Sequence, residues 1–287
     1  MPTYNHACRI AQWLHTALHR CPNTRSNRSQ HMAQQPARMH QHSPHKRATQ
    51  PENLPPQQRS QGDSGKKANI YIASLNMNGA TAPSKNMTYI EKWAMVNCTI
   101  LNKRIAILAV QETQLDQARL DQVLSCFGKN LIIINSPLPL NLHSSAGVAF
   151  VINKALIHPK ELSTVKLVPG RALMLNIKWL DTCAMSLVNI YTPHNRDTQP
   201  AFWASTMTKR HTTRMPLPDF VLGDFNVTED AINRTPTHHD EPAAIETLRG
   251  VRYEWNIQDT WRHHHPDTRC FTYHANSHGS QIQSRLD

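Results

Sequence analysis

Hydrophobic residues along the chain fall into two regimes. Residues 1–67 carry almost no regular pattern; only Ile10, Trp13, Leu14 and Leu18 fall at helical spacing, which predicts one short amphipathic helix. From Ala68 onward the texture is dense. Asn69–Leu75 reads as a strand, and Met87–Lys103 as a helix with Ile90, Trp93, Ala94 and Leu101 near one face. Ile105–Val110 is a continuous apolar strand, followed by a predicted short helix at Gln114–Cys126. Further strands are predicted at Leu131–Ile134, Gly147–Ile152, Leu173–Trp179, Ala184–Tyr191 and Phe220–Gly223, with a helix around Pro200–Arg214. Strands mixed with helices and a hairpin-rich middle predict an α/β body with two packed sheets. No internal repeat is visible.

Composition sharpens this division. Residues 1–67 hold ten basic and two acidic residues, whereas residues 68–287 hold 21 and 18, so the net charge of +11 belongs mostly to the tail. The tail is crowded with Gln, His, Arg, Pro and Ser and buries too little apolar surface to offset chain entropy, so disorder is expected there. The absence of acids before Glu52 would suit a mitochondrial presequence, but Pro and His interrupt the pattern. No apolar run approaches the ~18–20 residues of a membrane span, and no secretory signal follows Met1. An intracellular protein, nuclear or cytoplasmic and not in a membrane, is expected. The six cysteines form no C-x-x-C pair and read as reduced thiols.

Polar residues recur where the apolar strands end, which is where the sites of layered α/β folds collect. The strand ends read Asn76-Met77-Asn78-Gly79, Gln111-Glu112-Thr113, Tyr191-Thr192-Pro193-His194 and Gly223-Asp224-Phe225-Asn226, and the sequence stops at Ser284-Arg285-Leu286-Asp287. Each piece alone suits a plain turn, a helix cap or a packed rim residue. Five in series require a separate bland explanation for each.

In this order the pieces closely resemble the endonuclease/exonuclease/phosphatase (DNase I-like) superfamily, nearest to the apurinic-endonuclease-like domain of LINE-type (non-LTR) retrotransposons. Gly147-Val148-Ala149-Phe150, Gly170-Arg171-Ala172-Leu173 and the late run Asp259-Thr260-Trp261-Arg262, His265-Pro266 and Phe271-Thr272-Tyr273 resemble it too. The likeness covers residues 68–287. It implies a four-layered α/β sandwich, two mixed sheets flanked by helices, and a metal-dependent phosphodiesterase that nicks DNA. Glu112 would be the main ligand of a magnesium (or manganese) ion, with Asn76 and Asp287 in the ligand sphere. Asp224 would orient or deprotonate the attacking water, Asn226 would hold the phosphate, and Tyr191 would bond the scissile phosphate or the leaving oxygen. Asn78, Arg171 and Thr272 are further candidate substrate contacts, although Asn78 also suits a loop-shaping role, Arg171 a solvated surface and Thr272 rim packing. Phe225 is expected in the core.

His263-His264-His265 and His238-His239-Asp240 invite a zinc reading, but consecutive histidines point in different directions, and exposed loops are expected. One departure matters. Relatives continue past the acid of the Ser-Arg-Leu-Asp motif through another strand to a Ser-Asp-His sequence, and this sequence stops at Asp287. Loss of that partner is expected to cost ~10²–10⁴ in rate. Loss of the strand is expected to cost on the order of 6–12 kcal/mol, against ~5–15 for a whole domain. None of the 18 histidines replaces it in sequence order. Two alternatives therefore stand beside the endonuclease: a catalytically dead retroelement remnant that binds nucleic acid through its basic tail, and a phosphatase of the same fold acting on inositol lipids or sphingomyelin. The resemblance further implies DNA as partner, a monomer, and a reverse transcriptase domain in the full element. Nicking preference is expected to reside in loops around residues 139–146, 192–200 and 263–282.

Overall fold

Two four-stranded sheets lie face to face, each with helices on its outer side. The computed structural model describes residues 70–78, 88–138, 146–178, 184–277 and 280–286. The basic tail and its predicted helix, the loop at 139–145 and Asp287 lie outside the described residues.

The first sheet has the order β1 (Tyr71–Asn76), β2 (Ile105–Gln111), β4 (Val148–Asn153), β3 (Leu131–Ser136), with β1 and β2 parallel and the other pairs antiparallel. The second has the order β5 (Leu162–Val168), β6 (Ala172–Lys178), β7 (Ala184–Tyr191), β8 (Phe220–Asp224), with only β7 and β8 parallel. Every residue of β2 and β4 is buried, which explains their unbroken apolar runs: a central strand covered on both faces has no solvent side to mark with polar residues.

Three apolar clusters define the layers. Between the sheets, Ile107, Phe150 and Ile152 meet Leu173, Leu175 and Leu187. On the outer face of the first sheet, Leu108, Val110 and Val151 pack under α1 (Tyr89–Asn102), through Trp93, Val96 and Ile100, and under α2 (Gln117–Phe127), through Val123. On the outer face of the second, Met174, Val188 and Ile190 pack under α3 (Gln199–Thr212), through Phe202 and Trp203, and α4 (Pro242–Trp255), through Leu248, Val251 and Trp255. This is the four-layered sandwich expected.

Local sequence sets the helix ends. Thr88 caps α1 in a reciprocal box with Glu91, and the two hydrogen bonds from Thr88 hold the Glu91 carboxyl below its ordinary range. Asp116 caps α2, so the helix predicted from Gln114 begins three residues later. The sequence reading missed β5, α4, the short helix α5 (Thr260–His264) and a small third sheet. That sheet joins β10 (Tyr273–Ser277), β11 (Ser280–Ser284) and β9 (Arg234–Thr235). Among the described residues no strand pairs with the far side of β8, and a cavity of about 550 Å³ runs beside it, bordered by Phe220, Leu222, Val227, Leu248, Ile257 and Arg285.

The expectation of exposed histidine loops holds only in part. His263 and His264 are exposed, on α5 rather than a loop. Asp240 is buried: it accepts from the Thr228 amide and hydroxyl and pairs with Arg234 and Arg196. Burial alone would raise its pKa, but these donors and charges hold it below the ordinary carboxylate range. Cys98, Cys126 and Cys270 are free thiols, as predicted, and no helix of the described residues is long and apolar enough to cross a membrane.

Candidate active site

Each four-stranded sheet contains one parallel pair, and parallel neighbours end together. Asn76 of β1 stands in register with Gln111 of β2, one residue before Glu112. Tyr191 of β7 stands in register with Asp224 of β8. Gly223 makes the second pairing possible: its φ is +132°, and a Cβ there would strike the Ile190 carbonyl of β7.

One amide joins the sheets at these ends. Asn76 Nδ2 donates to Glu112 Oε1 at 3.0 Å and to Asp224 Oδ2 at 2.9 Å, while Asn76 Oδ1 accepts from the Asn78 backbone N–H at 2.7 Å. The second acceptor comes from a residue 148 positions away. Both carboxylates are nearly buried, Glu112 at 8% and Asp224 at 6% exposure. Their two bonded oxygens lie within about 6 Å of each other, since both touch the same nitrogen. Burial pushes the Asp224 carboxyl above its usual range. The Glu112 charge adds to that push; the Asn226 amide, the Asn76 side chain and the charge of His194 oppose it.

The backbone bends sharply here. Asn78, Glu112 and Asn226 adopt φ of 50°, 54° and 50°. Asn tolerates this left-handed region; at Glu112 it costs on the order of 1–2 kcal/mol. The turns are held by side chains: Asp224 Oδ1 accepts from the Asn226 N–H at 2.9 Å, and Asn226 Nδ2 donates to the Thr192 carbonyl at 2.8 Å.

Tyr191 is buried, with its hydroxyl 2.7 Å from His194 Nε2. Arg171 lies over its ring at 5.2 Å and donates to its carbonyl at 3.2 Å. Burial lowers the Arg171 pKa, and the charges of Tyr191 and Glu112 partly restore it.

The structure thus brings together Asn76, Glu112 and Asp224 directly, with Asn226 and Tyr191 beside Asp224 and Arg171 behind Tyr191. Asn78 is exposed and shapes its loop through its backbone amide. Thr272 lies outside this hydrogen-bonded set. Its hydroxyl accepts from the Leu286 N–H at 3.0 Å, and the Leu286 carbonyl accepts from the Phe225 N–H at 2.8 Å, which moors the late segment to the end of β8. Phe225 packs in the core, stacked on Trp203. Asp287 lies outside the described residues. Among those described, no three His, Cys, Asp or Glu side chains gather as a metal nest. What the site offers is two carboxylates, oxygen ligands of the kind a hard divalent cation takes, with the Asn76 Nδ2 set between them and its oxygen turned to the Asn78 N–H.

Two supports escaped the sequence reading. Gln111 Nε2 donates to Asn189 Oδ1 at 2.7 Å, and Asn189 Nδ2 donates to the carbonyls of Val110 and Ala149 at 3.0 and 2.9 Å. This buried amide pair ties the two sheets directly beneath Glu112. Its sequence signal is slight: Gln111 is the last residue of β2, and Asn189 shares β7 with Ser186.

No protein-family model matches the chain. An uncharacterized 149 kDa protein of Transposon TX1 from Xenopus laevis is 30% identical over 145 residues, half of this chain and 11% of that protein's length, so the chain spans about a tenth of its relative. The AP endonuclease LMAP from Leishmania major superposes with a TM-score of 0.55 at 16% identity, covering 74% of this chain and 78% of that one. The endonuclease domain of TRAS1, a telomere-specific non-LTR retrotransposon, gives a TM-score of 0.48 at 12% identity, covering 75% and 81%. The chain has the DNase I-like α/β fold that the AP endonuclease shares.

Proposed function

We propose that the chain is a divalent-metal-dependent phosphodiesterase that nicks DNA, the endonuclease portion of a LINE-type retroelement. The observation that carries this reading is the Asn76 amide bridging Glu112 and Asp224 across the two sheets. The fold held in common with an AP endonuclease and the sequence relative from a transposon support it.

The donor chemistry fits a magnesium or manganese ion. Among the described residues no lysine or arginine forms a salt bridge with Glu112 or Asp224, so two nearly buried carboxylates face each other with only a neutral amide between them. Glu112 would be the principal ligand, with Asn76 and Asp287 beside it, and the bound metal would neutralise charge on the phosphate. The chain's own residues supply the rest. Asp224, held at the strand ends by the Asn76 amide and the Asn226 N–H, would orient or deprotonate the attacking water. Asn226 holds a phosphate oxygen from the same turn, and the Tyr191 hydroxyl donates to the phosphate or the leaving oxygen. DNA is the substrate on this reading, acted on by a monomer, and a reverse transcriptase domain belongs to the full-length element.

Nicking of supercoiled plasmid in magnesium tests the proposal. Glu112→Ala and Asp224→Ala should each lose about 10²–10⁴ of the rate, and a chelator should stop the reaction. Nicking that survives the chelator or both substitutions would refute it. Salt-sensitive DNA binding without any nicking, abolished by removing residues 1–67, would instead favour the remnant reading.

A further inference from the structure

His194 stands three residues beyond Tyr191, past the end of β7. Its Nε2 lies 2.7 Å from the Tyr191 hydroxyl, and the two rings meet edge to face with centroids 5.6 Å apart. The contact is built rather than incidental. Gln199, fully buried, donates its side-chain amide to the Pro193 carbonyl at 3.0 Å, immediately before His194. Two residues beyond His194, Arg196 is clamped to the buried Asp240. The segment is therefore anchored on both sides of the imidazole, while the ring itself remains exposed. The sequence reading places His194 in the strand-end run Tyr191-Thr192-Pro193-His194 without giving it a role; the short turn after β7 brings it back to Tyr191.

We propose that His194 is a positioning residue whose imidazole sets the direction of the Tyr191 phenolic proton. This rests on the phosphodiesterase reading of the same site. A phenol has one proton to give, and an imidazole nitrogen either donates or accepts. When Nε2 carries hydrogen it donates to the phenolic oxygen, and the phenolic proton turns away from His194. Tyr191 pairs in register with Asp224, so a proton turned that way serves a phosphate oxygen held at the same strand ends. When Nε2 is bare, it takes the phenolic proton for itself. Among the described residues, the charged groups that face the pair include Arg171 over the Tyr191 ring, Asp224 across the strand pair and Glu112 beyond it. Arg196 and Asp240 stand at the base of the loop. The electrostatic effect of His194 on Asp224 agrees with this placement.

The test uses the full chain with supercoiled plasmid and magnesium. Rates are compared for wild type, His194→Gln, Tyr191→Phe and the double variant. Each single variant should slow nicking about tenfold, and the double variant should be no slower than Tyr191→Phe alone. Multiplicative losses in the double variant would overturn the inference. A second readout needs no activity: in protein labelled with 15N-histidine, Tyr191→Phe should displace the His194 ring signals. Should no form nick DNA, the phosphodiesterase reading falls by itself. Displaced ring signals then still support the pairing, and unmoved signals overturn it.

Discussion

Replacing Asp224 by asparagine should make the folded protein more stable at neutral pH and, on the proposed function, should abolish nicking. The Asp224 and Glu112 oxygens that share the Asn76 amide lie within about 6 Å of each other. At an effective dielectric constant of about 20, two unit charges at that separation repel by roughly 3 kcal/mol. The Asp224→Asn substitution would remove the repulsion and the cost of burying a charge. It would keep an oxygen for the Asn226 N–H, but it would face the Asn76 amide nitrogen with a nitrogen of its own, forfeiting about 1 kcal/mol of hydrogen bonding. The balance is a gain of about 1–2 kcal/mol.

The pH dependence gives this prediction its sign. The Asp224 pKa is raised in the folded state, chiefly by burial, so the folded protein holds the proton more tightly than the unfolded chain does. The stability this confers is full below about pH 4, the unfolded value, and is lost as pH rises through the folded pKa. The advantage of Asp224→Asn should therefore be present at pH 7 and shrink as pH falls into the carboxylate range. Urea unfolding followed by the fluorescence of the buried Trp93, Trp203 and Trp255 would measure both proteins at several pH values without magnesium. A variant less stable than wild type at pH 7, or a gap indifferent to pH, would refute the electrostatic account of the site.

Three further outcomes follow from the same contacts. Asp240→Ala should cost about 3–5 kcal/mol at pH 7 by leaving Arg234 and Arg196 without their buried partner, as measured by urea unfolding. Because the Asp240 pKa is lowered in the folded state, its contribution is present above the unfolded value near pH 4 and lost as pH falls through the folded one, so the gap to Asp240→Ala should close in acid. Magnesium should raise the thermal midpoint of wild type and leave that of Glu112→Ala unmoved; equal shifts in calorimetry would place the ion elsewhere. Asn189→Leu should cost about 2–4 kcal/mol, because the carbonyls of Val110 and Ala149 lose their buried donor, and Asn189→Ser should recover little of it.

The layers were legible wherever burial follows period. β2 and β4 are covered on both faces, and unbroken apolar runs announced them. α4 was not legible, although Ala244, Ile245, Leu248, Val251 and Trp255 fall at helical spacing and are buried. Three glutamates, two arginines and a mid-helix glycine at 250 dilute the stripe over Glu241–Trp255. β5 alternates around exposed Ser163, Thr164 and Lys166, with Leu167 as its one buried side chain. A half-buried edge strand leaves a weak pattern. Asp240 misled for a different reason. Beside two histidines it read as surface, and only the fold shows that Arg196, 44 positions earlier, returns to meet it.

The site itself was readable as a set of strand ends but not as an arrangement, and the reason is geometric. Parallel neighbours place successive strand ends at one edge of a sheet, so an observer of sequence can expect Asn76 beside Gln111-Glu112 and Tyr191 beside Asp224 once the strands are known. Nothing in the residue pattern states that the two edges coincide. That depends on how the sheets stack, which the apolar layer between them and the Gln111–Asn189 tie determine. The same stacking forces two carboxylates toward each other with one amide between them. A fold selected for stability alone would place a neutral or oppositely charged side chain at one of those positions. Both acids stand here at a cost of roughly 3 kcal/mol of repulsion and a left-handed Glu112, a cost that the proposed divalent cation would offset.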